Sequence, residues 1–167
     1  MTDITIRTAV SEDLDQVTAI EAVCFPKAEA ADRASFAHRL ATFPDSFFVA
    51  VHDGKIIGFV NGCVTNEITI RDEMYEDSSL HDPQGAYQSI FGLDVLPEYQ
   101  RQGIAAKLME QMIRDAKERG RKGLILTCKD RLIHYYEKFG YKNKGVSQSV
   151  HGGVVWYDML LEFEENA

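Results

Sequence analysis

The residues from Gln100 to Ala106 have the types and the spacing of a binding site for phosphate groups. They lie between a predicted strand and a predicted helix. A helix that begins near Gly103 directs several unpaired backbone N–H groups and the positive end of its dipole toward one point. Gly103 and Ala105 let a ligand approach the backbone, and Arg101 can donate charge-assisted hydrogen bonds to phosphate oxygens. The pattern therefore predicts a pyrophosphate site, and an ordinary junction between a loop and a helix is the alternative.

A second landmark is the sequence Tyr136-Glu-Lys-Phe-Gly-Tyr141, at the end of another predicted helix. The pattern Gln100-x-x-Gly103-x-Ala105 resembles the coenzyme-A-binding signature of the GNAT family of N-acetyltransferases, and the second landmark resembles the tyrosine motif of that family. The resemblance spans essentially the whole chain. It implies one N-acetyltransferase domain over residues 1–167, with acetyl-CoA as co-substrate and no metal ion.

The resemblance assigns coenzyme A to two adjoining segments. The backbone of Leu93 and Val95 would pair with the pantetheine arm as an added strand does. A backbone N–H of the same strand would polarise the thioester oxygen. The diphosphate would bind at the loop and the first helical turn, where the expected residues are Gln100, Arg101, Gln102, Gly103, Ile104, Ala105 and Ala106.

Tyr136 matches the family position of a tyrosine that faces the thioester sulfur, so the resemblance makes it the general acid. A phenol with a pKa of about 10 can protonate a thiolate whose conjugate acid has a pKa of about 8.5. The alternative is an aromatic side chain packed in the core.

The group that accepts the amine's proton is left open by the sequence. Ser89 stands where many family members carry a glutamate on the central strand, and its hydroxyl is predicted to hold a water molecule at the catalytic site. Side chains that could carry the proton away through water are Glu21, Glu73, His81 and His134.

Four segments are similar to the arylalkylamine, or serotonin, branch of the family: Ile20-Glu-Ala-Val-Cys-Phe25, Leu80-His-Asp-Pro83, Leu126-Thr-Cys-Lys-Asp130 and Val150-His-Gly-Gly-Val154. The animal enzymes of that branch carry two histidines on the central strand, where this chain has Ser89 and Phe91. We therefore predict acetyl transfer to a primary amine, by direct attack, with a small amine of arylalkyl type as the expected acceptor. Transfer to a protein N-terminus or a lysine, and a coenzyme-A-binding module without catalysis, are the alternatives.

An apolar wall for the hydrophobic end of the amine is predicted from Phe25, Pro26 and Phe36. Aromatic side chains in this number also occur as ordinary core residues, which is the alternative for these three.

Composition limits the possible partners. The net charge of −8 argues against a nucleic-acid-binding protein, which needs a basic face. No apolar run approaches the about 20 residues of a membrane span, and the N-terminus lacks the order of a signal peptide, so we expect a cytoplasmic protein. The three cysteines are widely spaced among apolar residues, which favours a structural role. We expect a monomer or a homodimer.

Hydrophobic periodicity predicts the elements that position these residues. The order is strand, two helices, three strands, helix, strand, helix and two strands, which indicates a mixed α/β fold with helices on a central sheet. Asp53-Gly54 predicts a tight hairpin, and Gln88 to Val95 is predicted as one central strand. The polar segment from Thr65 to Ala86 is predicted to be a long surface connection with a short helix. The resemblance implies a mostly antiparallel sheet with helices on both faces, whose fourth and fifth strands splay apart.

Overall fold

The computed structural model describes residues 3–164 of the 167-residue chain. Within those residues the chain forms nine β-strands and five α-helices, joined in part by short 3-10 turns. In chain order these elements are β1 (Thr5–Thr8), α1 (Leu14–Cys24), α2 (Arg33–Thr42), β2 (Phe47–His52), β3 (Lys55–Asn61), β4 (Val64–Thr65), α3 (Asp72–Glu76), β5 (Tyr87–Ile90), β6 (Gly92–Val95), α4 (Ile104–Glu118), β7 (Gly123–Cys128), α5 (Ile133–Glu137), β8 (Lys142–Val146) and β9 (Tyr157–Glu162). No helix within residues 3–164 has both the length and the apolar character needed to cross a membrane.

The described residues divide into two compact units. The first unit contains the residues up to Gly62 together with Gly92–Met112, and the second contains Cys63–Phe91 together with the residues from Ile113 onward. Each unit has its own sheet. The single domain over residues 1–167 stays a prediction, and residues 1–2 and 165–167 lie outside the described part of the chain.

The sheet of the first unit has the strand order β1-β2-β3-β6, and every neighbouring pair is antiparallel. Strands β2 and β3 form the predicted hairpin. Asp53 and Gly54 turn the chain with φ of 50° and 75°, the left-handed conformation that a two-residue hairpin turn requires. Strand β6 is the last strand of this sheet.

Three phenylalanine rings form the centre of the first unit's core. The Phe36 ring of α2 packs edge-on against Phe59 of β3 at a centroid distance of 5.5 Å, and Phe47 of β2 stacks on Phe59 at 5.7 Å. Val17 and Ile20 of α1 are buried in the same cluster. Helices α1 and α2 thus both pack on the sheet of this unit through apolar side chains.

The sheet of the second unit has the strand order β4-β5-β7-β9-β8. Strands β5 and β7 are parallel, and the other pairs are antiparallel. Leu124, Ile125 and Leu126 of β7 are all buried, which fits the almost continuous apolar run of this strand. The mixed α/β architecture predicted from the sequence is confirmed.

The segment from Gln88 to Val95 differs from its prediction as one central strand. It forms two strands that belong to different sheets, β5 in the second unit and β6 in the first, with Phe91 between them. A change of partner leaves no trace in a period-two hydrophobic pattern, because side chains still alternate between faces on each side of the break.

Candidate active site

Strand β6 directs alternate backbone groups away from its only neighbour in the sheet. The Leu96 N–H donates to the Ile57 carbonyl at 2.9 Å, and Leu93 lies opposite Val60. Because hydrogen-bonded and non-hydrogen-bonded pairs alternate along an antiparallel ladder, Leu93 and Val95 occupy the non-bonded pairs. Their N–H and C=O groups therefore point outward from the sheet edge, where a ligand could pair with them as an added strand.

The outward carbonyl of Val95 already has local donors. It accepts a hydrogen bond from Gln100 Nε2 at 3.0 Å and a weaker one from Cys24 Sγ at 3.4 Å. A ligand at this edge would therefore meet chiefly the N–H groups of Leu93 and Val95 and the carbonyl of Leu93. The Gln100 side chain ties the start of the following loop to the strand.

The loop after β6 leads into α4 through two residues with left-handed backbone. Arg101 has a φ of 64° and Gly103 a φ of 81°. Gly103 is exposed, and a Cβ at this position would meet no atom within 4 Å, so the space beside its backbone is open. The Arg101 side chain is exposed at the same place and can reach an anion from solvent.

The first turn of α4 has the unpaired backbone donors that a diphosphate requires. The Lys107 N–H donates to the Gly103 carbonyl at 3.1 Å, which makes Gly103 the residue that caps the helix. The N–H groups of the next three residues therefore lack partners within the helix. These residues are Ile104, Ala105 and Ala106, and the helix behind them is 15 residues long.

The sequence-predicted coenzyme residues are thus brought together in the first unit, from Leu93 to Ala106. The side chain of Ile104 is buried and anchors the helix, so only its backbone N–H can serve a ligand. Gln102 is exposed, and its amide makes only a long contact of 3.5 Å with the Glu98 carbonyl. The geometry fits a diphosphate at the loop and an extended chain at the strand edge.

A cluster of buried polar side chains lies behind β6, and sequence reasoning missed it. Its members are Glu21 of α1, Arg39 of α2, Asn61 of β3 and Asp94 of β6, each at most 6% exposed. Burial raises the pKa of Asp94 well above its usual range, and the neighbouring Glu21 carboxyl raises it further. An acidic residue between Leu93 and Val95 in an apolar strand was the one signal for this cluster in the sequence.

Tyr136 lies on α5 in the second unit, in a group of three tyrosines. Its ring meets Tyr135 edge-on at a centroid distance of 5.1 Å and Tyr141 at 6.0 Å. Tyr141 is fully buried, and burial raises its pKa well above the usual value, with a further contribution from Tyr136. Tyr136 itself is only half-buried, so part of its side chain is accessible to a ligand.

Ser89 of β5 is fully buried, and its hydroxyl donates to the Cys63 carbonyl at 2.8 Å. The Ser89 N–H and the Gln88 side chain donate to the same carbonyl, at 2.8 Å and 3.2 Å. This arrangement gives the hydroxyl a structural partner. The predicted water-holding role of Ser89 therefore finds no support in the geometry and stays a prediction.

The other candidates for the proton route have separate local partners. The Val64 N–H donates to Nδ1 of His81 at 3.0 Å, so that imidazole nitrogen is an acceptor. Glu73 lies 3.9 Å from Arg71, and the exposed His134 lies 3.5 Å from Glu137 on the same helix. Glu21 belongs to the buried cluster of the first unit.

The predicted apolar wall divides into a core residue and two more accessible ones. Phe36 is fully buried in the core of the first unit, which leaves its ring no surface for a ligand, because three elements pack around it. Phe25 is half-buried, and Pro26 is exposed at the end of α1. A contact between Phe25 or Pro26 and an amine stays a prediction.

A second aromatic group in the second unit was not predicted. The Tyr75 ring stacks on His151 and packs against Phe91, with both centroid distances 4.9 Å, and His151 lies 6.2 Å from Trp156. The four rings come from α3, the end of β5 and the segment before β9. Sequence spacing gave no signal for this group, because tertiary folding alone joins these segments.

The cysteines do not have the properties of nucleophiles. Burial, with a smaller contribution from Asp130, raises the pKa of Cys128 to about 11. Burial also raises the pKa of Cys24. Because the thiolate is the reactive form, these thiols are poorly suited to carry an acyl group. Within residues 3–164, no three histidine, cysteine, aspartate or glutamate side chains are grouped so as to hold a metal ion.

Comparison with known proteins establishes the family. The model of the acetyltransferase (GNAT) family matches residues 14–141, which is most of the chain. The chain therefore belongs to the acetyltransferase (GNAT) family, as the sequence resemblance predicted, and it has the GNAT fold with helices on both faces of mixed sheets. The solved structure of the GNAT-like decarboxylase GphF in complex with isobutyryl-CoA has a similar fold, with a TM-score of 0.82, 24% identity and coverage of 95% of this chain and 98% of that chain.

Curated relatives match as well, over smaller shares of their own length. The probable hydrolase YhcX of Bacillus subtilis (strain 168) is 26% identical over 168 residues, which is 95% of this chain and 32% of that protein. The serotonin N-acetyltransferase of Mesocricetus auratus is 22% identical over 123 residues, which is 73% of this chain and 58% of that protein. The chain thus spans less than two thirds of the length of these relatives.

Proposed function

We propose that this protein is an acetyl-CoA-dependent N-acetyltransferase that acetylates a primary amine. The observation that carries the proposal is a run of backbone hydrogen-bond donors in the first unit, from β6 to the start of α4. Outward N–H groups of Leu93 and Val95 lead to the loop at Arg101 and then to the unpaired donors at the start of α4. Extended pantetheine matches the strand edge, and a diphosphate matches the helix start.

The chemistry asks for a polarised carbonyl, a neutral amine and a proton for the departing thiolate. Acetyl-CoA supplies the thioester when it is bound. An outward N–H of β6 donates to the thioester oxygen in this proposal, and Tyr136 Oη gives its proton to the thiolate. Direct attack by the amine is favoured over an acyl-cysteine, because burial raises the pKa of the Cys24 and Cys128 thiols.

The proposed acceptor is a small amine with a hydrophobic, arylalkyl body. The similarity to the serotonin N-acetyltransferase of Mesocricetus auratus, although only 22% identical, supports this choice. The apolar residues proposed to contact it are Phe25 and Pro26, while Phe36 is a core residue. Transfer to a protein N-terminus or a lysine remains the second enzymatic proposal, and a non-catalytic coenzyme-A-binding module the third.

Two measurements on the whole chain test the proposal. Calorimetry is expected to detect binding of coenzyme A, and a thiol-release assay with acetyl-CoA is expected to respond to small amines such as tryptamine more than to peptides. Turnover with peptides alone would favour the protein-modifying alternative. Tight binding without thiol release across the whole panel would favour the binding module, and absence of coenzyme A binding would remove all three.

The proposal includes the cellular setting predicted from the sequence. We propose a cytoplasmic enzyme that acts on a small molecule, without a nucleic-acid or membrane partner, as a monomer or a homodimer. Sedimentation velocity at several protein concentrations separates these two oligomeric states.

A further inference from the structure

The buried cluster behind β6 leaves several strong hydrogen-bonding atoms without a protein partner. Both carboxyl oxygens of Asp94, Oε1 of Glu21 and Nδ2 of Asn61 have none, although these residues are 1%, 6% and 0% exposed. An unsatisfied buried polar atom normally costs about 1–3 kcal/mol, so native proteins rarely tolerate several at one place. A proton shared between Glu21 and Asp94 joins one oxygen of each carboxyl group, which leaves Asn61 Nδ2 and the second Asp94 oxygen to be satisfied by a group beyond the protein atoms.

The unpartnered atoms converge on one point beside Gly92. A Cβ placed on Gly92 would lie 3.1 Å from Asp94 Oδ1, 3.6 Å from Glu21 Oε1 and 3.7 Å from Asn61 Nδ2. The absence of a side chain at Gly92 thus lets an amide donor and two carboxyl acceptors meet there, where an added Cβ would crowd Asp94 Oδ1.

The orientation of these side chains is set by their other hydrogen bonds. Oε2 of Glu21 accepts from the Ala31 N–H at 2.9 Å, and Oδ1 of Asn61 accepts from Nη1 of Arg39 at 3.1 Å. Each side chain therefore has one atom held by the protein and turns the other toward Gly92. The site is built by elements of the first unit alone.

We propose that the first unit binds one internal water molecule against Gly92, held by Asn61, Glu21 and Asp94, and that the two carboxyl groups share one proton. The water accepts a hydrogen bond from Asn61 Nδ2 and donates to one oxygen of each carboxyl group, which matches the about three bonds of a typical buried water. Glu21 and Asp94 act as positioning residues for β6.

The charges around Asp94 agree with one shared proton. Burial and the Glu21 carboxyl raise the pKa of Asp94, the Cys24 thiol contributes in the same direction, and Arg39 opposes them. Asp94 is therefore the carboxyl that holds the proton. In this state its hydroxyl donates toward Glu21.

The consequence for the coenzyme rests on the proposed function. Gly92 and Asp94 alternate along β6 with Leu93, whose outward N–H is proposed to bind pantetheine. Loss of the proton places two negative charges side by side in a site closed to bulk solvent, and their repulsion displaces β6. Affinity for coenzyme A is therefore expected to fall as the pH rises.

Calorimetric binding of coenzyme A between about pH 5 and about pH 9 tests this inference in wild type, Asp94→Asn and Gly92→Ala. Asp94→Asn mimics the protonated acid, so the affinity of this variant for coenzyme A is expected to lose the part of its pH dependence that Asp94 causes. Gly92→Ala fills the water position at ordinary strand geometry and is expected to weaken binding about tenfold. The control is Asp45→Asn, an exposed carboxyl of the same unit, which keeps the wild-type pH dependence.

Difference infrared spectroscopy supplies a readout that does not need the coenzyme. Wild type at neutral pH is expected to show the C=O stretch of a buried carboxylic acid, and Asp94→Asn is expected to lose it. A missing band, equal pH dependence in wild type and Asp94→Asn, or wild-type affinity in Gly92→Ala would each overturn the inference. If wild type shows the band but binds no coenzyme A, the proposed function fails and the proton site stands.

Discussion

Strands β5 and β6 are consecutive in the chain but have opposite positions in their sheets. Strand β5 lies between β4 and β7 in the sheet of the second unit, and all four of its residues are buried. Strand β6 is the edge of the first unit's sheet, with β3 as its only neighbour there. The backbone of β5 is therefore committed on both sides, whereas half of the backbone groups of β6 are turned outward.

The polar side chains of β5 and β6 also differ, in whether other protein atoms satisfy their hydrogen-bonding groups. Ser89 of β5 has a satisfied hydroxyl, since it donates to the Cys63 carbonyl. Asp94 of β6 has two carboxyl oxygens without a protein partner. The side chain of Ser89 is thus satisfied within the sheet, while that of Asp94 belongs to the buried cluster for which we propose a bound water. We therefore expect changes in β5 to alter stability and changes in β6 to alter binding.

The largest difference is expected from proline placed at Ser89 or at Leu93. Ser89→Pro removes an N–H that donates inside the sheet, at a cost of about 3 kcal/mol or more, and should leave little folded protein. Leu93→Pro removes an outward N–H at a sheet edge, where proline is tolerated, so the fold should persist while affinity for coenzyme A falls about tenfold or more. Circular dichroism and calorimetry measure the two effects.

The control for Leu93→Pro is Leu93→Ala, which shortens the side chain and keeps the N–H. Wild-type affinity in Leu93→Pro would mean that the outward groups of β6 do not bind pantetheine. The expectation that changes in β6 alter binding would then be wrong.

The next largest effect is expected on the rate of catalysis, which we assign to a residue of the second unit, and not on coenzyme A binding, which we assign to the first unit. Tyr136→Phe should lower kcat by about 10²–10⁴-fold, the usual contribution of a general acid, and leave the affinity for coenzyme A unchanged. Tyr135→Phe is the matched control, because the two rings pack against each other and only one is assigned a proton. Turnover within a few-fold of wild type in Tyr136→Phe would refute the assignment.

A smaller effect is expected at the exposed loop that follows β6. Arg101→Ala removes a charge-assisted contact with the diphosphate and should weaken coenzyme A binding about tenfold, with a weaker dependence on salt. Arg114→Ala, an exposed arginine farther along α4, should leave the affinity unchanged. Equal losses in the two variants would indicate a general effect of charge.

The smallest effect is expected from Ser89→Ala. Loss of its hydrogen bond to Cys63 should lower the free energy of unfolding by about 1 kcal/mol, because that carbonyl keeps other donors. Thermal unfolding and steady-state kinetics check this outcome together. A loss of kcat of a hundredfold or so would instead support the sequence prediction that Ser89 holds a catalytic water, since that is the scale of acid–base effects.

Local patterns predicted much of the fold. The Asp53-Gly54 turn and the loop that leads from Gln100 into α4 both lie where the sequence indicated. Each depends on contacts between residues close in the chain. Prediction failed at Phe91, where one expected strand divides between two sheets, because strand partners are chosen by long-range pairing.

In the candidate site, too, a local motif could be predicted from the sequence, and features that depend on long-range contacts could not. The motif around Gly103 predicted the loop proposed to bind the coenzyme, since the helix start and the glycine conformation are encoded within a few residues. Phe36 was predicted to line a pocket but is a core residue, because amphipathic spacing cannot tell which apolar side chains are covered. The cluster of Glu21 and Asp94 was not predicted, since its members are more than 70 positions apart in the sequence.

The sequence by itself determined the family, the loop proposed to bind the diphosphate and the tyrosine proposed as general acid, because each corresponds to a short, contiguous motif. Only the tertiary structure decided that β6 is a sheet edge and that a carboxyl pair lies buried behind it. The physical reason is that backbone availability and the pKa of a buried acid depend on neighbours distant in the chain, which a local pattern does not contain.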